Sequence, residues 1–231
     1  MNTTFSTVLG LMLKDIYNLK KSLKIFVVFI LFYGGFALLS QQSSLVVALM
    51  TTISIMLPVS AFSYDHACHW TDYALTLPVS RRQMITARYA FSCISAVGCH
   101  LILIPVLFIA SRMGSDDAME TMAAIPVTLG VIFLILAVSN GAIYRFGPER
   151  GRFVLFAVCM IPVAVALTAS RILPLSVFQS IRQWFVTQTF FGSMSLSTAL
   201  LLGSALTVAV GLIALVISWW MSCRLMERQE F

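Results

Sequence analysis

Ala123–Tyr144 reads AAIPVTLGVIFLILAVSNGAIY, 22 consecutive residues without a charge. A helix needs about 20 mostly apolar residues to cross the hydrocarbon core of a bilayer, so this stretch reads as one span. Working outward, five more windows free of Asp, Glu, Lys and Arg can be drawn: Ile25–Leu39, Leu45–Phe62, Tyr89–Ala110, Phe153–Ser170 and Ser197–Trp220. With 59% hydrophobic and only 10% charged residues in 231, a soluble domain could not hide the apolar surface. The pattern predicts an all-α membrane protein with six transmembrane helices in a single domain over residues 1–231, without internal repeats. The first window is short, and Ser22 with a snorkelling Lys24 extends it to about 19 residues. Leu38-Leu39-Ser40-Gln41 is a poor cleavage site, so this span is expected to be retained rather than removed as a signal peptide.

Orientation follows from the basic residues. Lys14, Lys20, Lys21, Lys24, Arg81, Arg82, Arg88, Arg145, Arg150, Arg152, Arg224 and Arg228 fall on one side of the six windows, and only Arg112, Arg171 and Arg182 on the other. The positive-inside rule makes the side with twelve cytoplasmic, with both termini there, in a multi-pass protein of the cell membrane. Basic residues facing anionic headgroups account for the net charge of +6, so no nucleic-acid partner is needed. Tyr64, Tyr144, Trp219 and Trp220 sit where spans leave the cytoplasmic interface and read as anchors. None of the five cysteines lies in an outer loop, so no disulfide framework is implied.

Before the first span, Phe5, Val8, Leu9, Met12, Ile16 and Leu19 recur at helical spacing, with Lys14, Asp15, Asn18 and Lys20 off the stripe. This predicts an amphipathic elbow helix, lying on the inner leaflet or packed on another protein surface. Between the last two spans, Val177, Phe178, Ile181, Trp184 and Phe185 follow a helical pattern after Pro174, predicting a short outer helix. Ala199, Gly203, Thr207 and Gly211 form a small-residue ridge on the last span, suited to close packing within the chain or against a second copy. Pro58, Pro105 and Pro162 lie inside spans and predict kinks there.

Absences narrow the chemistry. No Gly-x-x-x-x-Gly-Lys-Ser/Thr occurs, so nucleotide hydrolysis by a P-loop would have to come from another subunit. All nine acidic residues lie outside the apolar windows, unlike in transporters that place a carboxylate in the membrane. His-Glu-x-x-His is absent, as is any paired acid and base, and the chain is expected not to be an enzyme. His100 is the one imidazole inside a span and reads as a hydrogen-bonded neutral histidine. His66, Cys68 and His69 lie close together but lack a further ligand and zinc spacing.

The first cytoplasmic connection carries the strongest pattern. Trp70, Tyr73, Ala74 and Leu77 stand at i, i+3, i+4 and i+7 of a helix expected from Tyr64 to about Leu77, which Pro78 ends. Ser80 stands three residues before Gln83, a capping box for the next span. A short helix with exposed Trp and Tyr suits docking in a partner's groove, or anchoring flat on lipid. The stretch YDHACHWTDYALTLPVSRRQ, residues 64–83, resembles the first cytoplasmic loop of type 2 ABC exporter permeases. More narrowly it is similar to small six-helix permeases for antimicrobial or toxic peptides, such as the phenol-soluble modulin exporters. Trp70, Tyr73, Leu75, Leu77, Pro78, Val79, Ser80 and Arg81 match that loop where they stand, whereas His66 replaces a usual Glu and His69 a common small residue. Arg145–Arg152, reading RFGPERGR, resembles the Gly-containing connection before the family's fifth span.

The resemblance implies a coupling helix that contacts a separate ABC ATPase through Asp65, His66, Trp70, Tyr73, Leu77 and Arg81, with Arg145, Glu149, Arg150 and Arg152 in the second cytoplasmic loop. It also implies a second permease copy or paralogue, ATP and Mg in the ATPase rather than in this chain, and a peptide-like cargo. A stand-alone immunity or binding protein for a toxic peptide is the alternative reading of the same spans.

Overall fold

Lipid offers the backbone no hydrogen-bond partner, so a chain of this composition pairs its amides within helices. The computed structural model describes residues 3–40, 42–74, 76–112, 118–172 and 196–228. Among these residues there are seven helices and no strand: α1 (Thr3–Asn18), α2 (Lys20–Leu39), α3 (Ser43–Ala67), α4 (Trp70–Ala74), α5 (Arg81–Arg112), α6 (Ala118–Ile172) and α7 (Leu196–Arg228). Among the described residues, four segments are long and apolar enough to cross a membrane: Ser43–Ala67, Arg81–Arg112, Thr121–Gly147 and Leu201–Glu227. They carry four of the six predicted windows. The other two windows are also helical. Ile25–Leu39 lies in α2, whose apolar run is the shorter Lys24–Phe36, and Phe153–Ser170 lies in the second arm of α6. The predicted outer helix around Trp184 lies outside the described residues.

α6 is one element in name only. Gly147 breaks it with φ 83° and ψ 166°, a backbone that an L side chain rarely adopts. Beyond the break Gly151 comes so close to Ile143 that a Cβ there would stand 2.6 Å from Ile143 Cγ1. In an unbroken helix those residues would be about 12 Å apart along the axis, so the chain reverses at Gly147. The Gly-containing connection read from residues 145–152 is therefore a reversal of the chain at Gly147. Leu155 in the second arm is buried, while Phe153, Phe156 and Ile161 are open to the surroundings, as a lipid-facing helix requires.

The core lies among α3, α5, the first arm of α6 and α7, around Ile55, Val59, Ile85, Ala96, Ile132, Leu136 and Leu215. α6 and α7 pack most closely. A Cβ on Gly130 would stand 2.6 Å from the Thr207 carbonyl carbon, and one on Gly211 would stand 2.6 Å from the Gly130 oxygen. The small-residue ridge thus packs within the chain at Thr207 and Gly211, whereas Gly203 has open space beside it. Association in lipid gains little from hydrophobicity, so such close approach and interhelical hydrogen bonds of about 0.6 kcal/mol each hold the bundle. Ser218 Oγ donates to the Ala137 carbonyl at 2.6 Å, Asn140 Nδ2 to Ser92 Oγ at 3.1 Å, and Trp219 Nε1 to Thr86 Oγ1 at 3.2 Å. His100 is buried, with Nδ1 2.9 Å from the Ala96 carbonyl and Nε2 3.4 Å from Thr128 Oγ1 of α6. It occupies the hydrogen-bonded role read from its position.

One expectation is corrected here and a second is refined. Of the four interfacial anchors, Tyr144 and Trp219 turn inward and pack on the core, because the bundle offers them ring and hydroxyl partners; Tyr64 and Trp220 remain exposed. On α1, Leu19 of the apolar stripe is buried and Phe5, Leu9 and Ile16 stay open to the surroundings, while Lys14 and Asp15, read as off the stripe, turn inward because paired charges draw them onto α3 and α5.

Candidate functional site: a charged cavity behind the first loop

α3 ends with Cys68 N–H donating to the Tyr64 carbonyl at 3.0 Å and His69 N–H to the His66 carbonyl at 3.3 Å. His69 then takes φ 50°, in the left-handed region. This break means that the predicted helix from Tyr64 to Leu77 is two pieces: the last turn of α3 and the five-residue α4. The loop returns through Thr76 N–H to the Tyr73 carbonyl at 3.1 Å and Leu77 N–H to the Ala74 carbonyl at 3.2 Å. The capping box forms as read, with Ser80 N–H donating to Gln83 Oε1 at 2.9 Å and Gln83 N–H to Ser80 Oγ at 3.2 Å. Arg81 Nη1 donates to the Met226 carbonyl at 2.7 Å, and Arg82 pairs with Glu227 at 3.0 Å, tying the loop's exit to the end of α7.

The apolar face expected on this loop is divided. Ala74 is buried, Leu77 is half-buried, and Tyr73 is 59% exposed. Trp70, expected outside, instead faces inward, partly buried, its ring 5.5 Å from that of Tyr73. The Lys14 ammonium holds it there, 4.3 Å from the Trp70 ring centroid.

Below Trp70 is a square of alternating charges. Lys14 Nζ donates to Asp65 Oδ1 and Oδ2 at 2.8 and 2.7 Å, and lies 2.9 Å from Asp15 Oδ1. Arg88 Nη1 donates to Asp15 Oδ2 at 3.0 Å, and Arg88 Nη2 pairs with Asp65 Oδ2. The side chains of Lys14, Asp15, Asp65 and Arg88 are 19, 4, 9 and 10% exposed, so the charges cancel formally inside the protein rather than in water. Burial, and then the neighbouring Arg88 guanidinium, bring Lys14 down from the ordinary 10.5 to about 8, against the upward pull of Asp15. The Arg88 guanidinium also sits 4.7 Å from the Phe62 ring centroid, and Phe62 meets Tyr144 edge-on at 5.3 Å.

These groups border a cavity of about 390 Å³, walled by α1, the end of α3, the first loop, the start of α5, the Gly147 turn and the end of α7. It brings together four of the residues read from the sequence, Asp65, His66, Trp70 and Arg145, from two loops 80 residues apart (145 minus 65). Tyr73, Leu77 and Arg81 lie outside it, and Arg150 is exposed. Glu149 and Arg152 belong to α6, their side chains lying outside the described residues. Lys14, Asp15, Arg88 and Tyr144 were read from the sequence as topology charges, polar residues off the elbow stripe or an anchor, not as residues of one site. The available signal was the adjacent pair Lys14 and Asp15 in an otherwise apolar helix. Among the described residues, no three of His, Cys, Asp and Glu come together to hold a metal.

Apolar helices long enough to cross a bilayer, packed through small residues and closed at one end by buried ion pairs, define a helical integral membrane protein. The chain belongs to the ABC-2 family of transporter proteins, whose family model matches residues 10–227. It is thus a permease subunit of an ABC transporter, and the family implies an ABC ATPase as its partner. No curated protein and no solved structure matches the chain.

Proposed function

We propose that this permease is the membrane subunit of an ATP-driven exporter, with six spans and both termini cytoplasmic, and that it docks its ATPase through the first cytoplasmic loop. One observation carries the docking: Tyr73 is 59% exposed on a short helix whose ends are anchored. At the entry that helix hangs from α3, and at the exit the capping box and Arg81 fasten it to α5 and α7. An aromatic side chain presented on a constrained element, with little entropy left to lose, is what a partner's groove selects. Asp65, His66 and Trp70 then act from behind that surface, and Arg145 and Arg150 border it from the second loop. ATP and Mg are handled in the ATPase, and this chain contributes no catalytic group.

The cargo reading is an amphipathic or hydrophobic peptide. It rests on spans without a fixed counter-ion, since such a cargo needs none. A second permease, identical or paralogous, completes the path. The test is Tyr73→Asp in cells that make both subunits. The variant is expected to insert normally but to lose co-purification of the ATPase and ATP-dependent export of a fluorescent amphipathic peptide. Retention of the ATPase by this variant removes α4 as the docking element. A wild-type chain that captures no ATPase yet binds the peptide favours the immunity or binding protein instead.

A further inference from the structure

α4 buries Ala74, but its Trp70 and Asp72 side faces the cavity. The cavity of about 390 Å³ separates it from the ends of α5 and α6. The ends of α4 run into α3 and α5, and across the cavity side chains make a further connection between α4 and the bundle. Lys14 of α1 crosses that gap. Its ammonium touches the Trp70 ring on one side and both Asp65 oxygens on the other, while Asp15 beside it holds Arg88 of α5. One side chain thereby joins the first loop to α3 directly, and to α5 through one further pair.

We propose that Lys14 is the strut that carries displacement of the first cytoplasmic loop into the membrane helices, making α1 part of the coupling apparatus. The inference rests on the reading of α4 as the ATPase-docking element. Charges paired away from water interact more strongly than exposed ones, so the square resists distortion where a surface ion pair would slip. Lys14 is a positioning residue, and the elbow helix moves with α4 as one body. The burial of its charged side is the structural reason: an elbow that only anchored to lipid would present Lys14 and Asp15 to headgroups.

The test uses the full complex of permease and ATPase in lipid nanodiscs, with native cysteines replaced by Ser and a fluorophore on Ser111→Cys, at the far end of α5. ATP with vanadate is expected to change the fluorescence of the otherwise unaltered complex. Lys14→Met, which keeps the apolar stem, is expected to abolish that change while the ATPase stays bound and hydrolyses ATP near the normal rate. Lys14→Arg is expected to preserve it. An unaltered fluorescence change in Lys14→Met overturns the strut and leaves the docking reading standing. Retention of the ATPase by Tyr73→Asp, with Lys14 intact, overturns the docking reading itself.

Should Lys14→Met fail to assemble, a bifunctional thiol reagent joining Leu11→Cys to Asp72→Cys across the cavity decides the question. Continued ATP-driven change after cross-linking supports one-body motion, and its loss overturns it.

Discussion

Arg88 lies two turns into α5, its guanidinium shared between Asp15 and Asp65. Removing one partner from a buried ionic group leaves a charge with nothing to offset its lost hydration. Arg88→Met is therefore expected to cost about 3–5 kcal/mol, read as a lowered unfolding midpoint in mild detergent. Arg88→Lys should recover only part, because an ammonium cannot bridge two carboxylates with the planar fork of a guanidinium. Lys14 adds a pH dependence. Its proton leaves at about 8 in the folded chain and at the ordinary 10.5 in the unfolded one. Between those values the unfolded chain holds more protons, so this group makes stability rise with pH across the window. Below it, the charged ammonium sits against the Trp70 ring. The emission of Trp70, taken as the difference between the wild type and Trp70→Phe, is expected to titrate with a midpoint near pH 8. The titration should vanish in Lys14→Met.

At the scale of elements, the contact between α6 and α7 is set by two glycines. Gly211→Leu would drive a side chain into the backbone oxygen of Gly130 and into Phe133, forcing the helices apart. Overpacking of this kind costs about 1–3 kcal/mol or more, visible as reduced yield and a lowered melting temperature. Gly203→Leu, eight residues earlier on the same ridge, meets open space and is expected to be tolerated. The contrast separates a packing face from a stripe of small residues. The first loop shows a related distinction. Helical spacing from Trp70 to Leu77 is real in the sequence, but the left-handed backbone at His69 cuts α4 off from α3, and within α4 Trp70 lines the cavity while Tyr73 is exposed.

Across the whole molecule, the placement of positive charge predicts which end faces the cytoplasm. Cys68 is exposed in the first loop. With the other cysteines replaced, a membrane-impermeant maleimide is expected to label Cys68 only when the cytoplasmic face is open, and Ser111→Cys only from outside. Labelling of Cys68 in intact cells would reverse the assigned orientation. The same charges serve a second purpose that topology counting does not see. Lys14 and Arg88 were read as cytoplasmic basic residues, and both are spent largely on buried carboxylates. The lipid-facing positive charge is correspondingly smaller than the sequence count.

Much of the architecture was legible because it follows from local rules. Hydrophobic runs specified helices that match all six windows, the Ser80 and Gln83 pair specified a capped start, and the Gly-containing run at residues 145–152 marked a connection between spans. Each depends on residues within a few positions of one another, where period, capping chemistry and allowed backbone angles decide the outcome. The burial of the site depended on distance in sequence. Asp65 is 51 residues from Lys14, and Arg88 is 73 from Asp15. Nothing in the spacing of four charges on three helices tells which will face water and which will face one another. The sequence by itself determined a helical membrane protein and where its loops carry charge, through apolar length and backbone chemistry. The tertiary structure alone decided that the elbow helix turns its charges inward and that two loops share one cavity, because those charges are stable away from water only when the fold brings their partners to them.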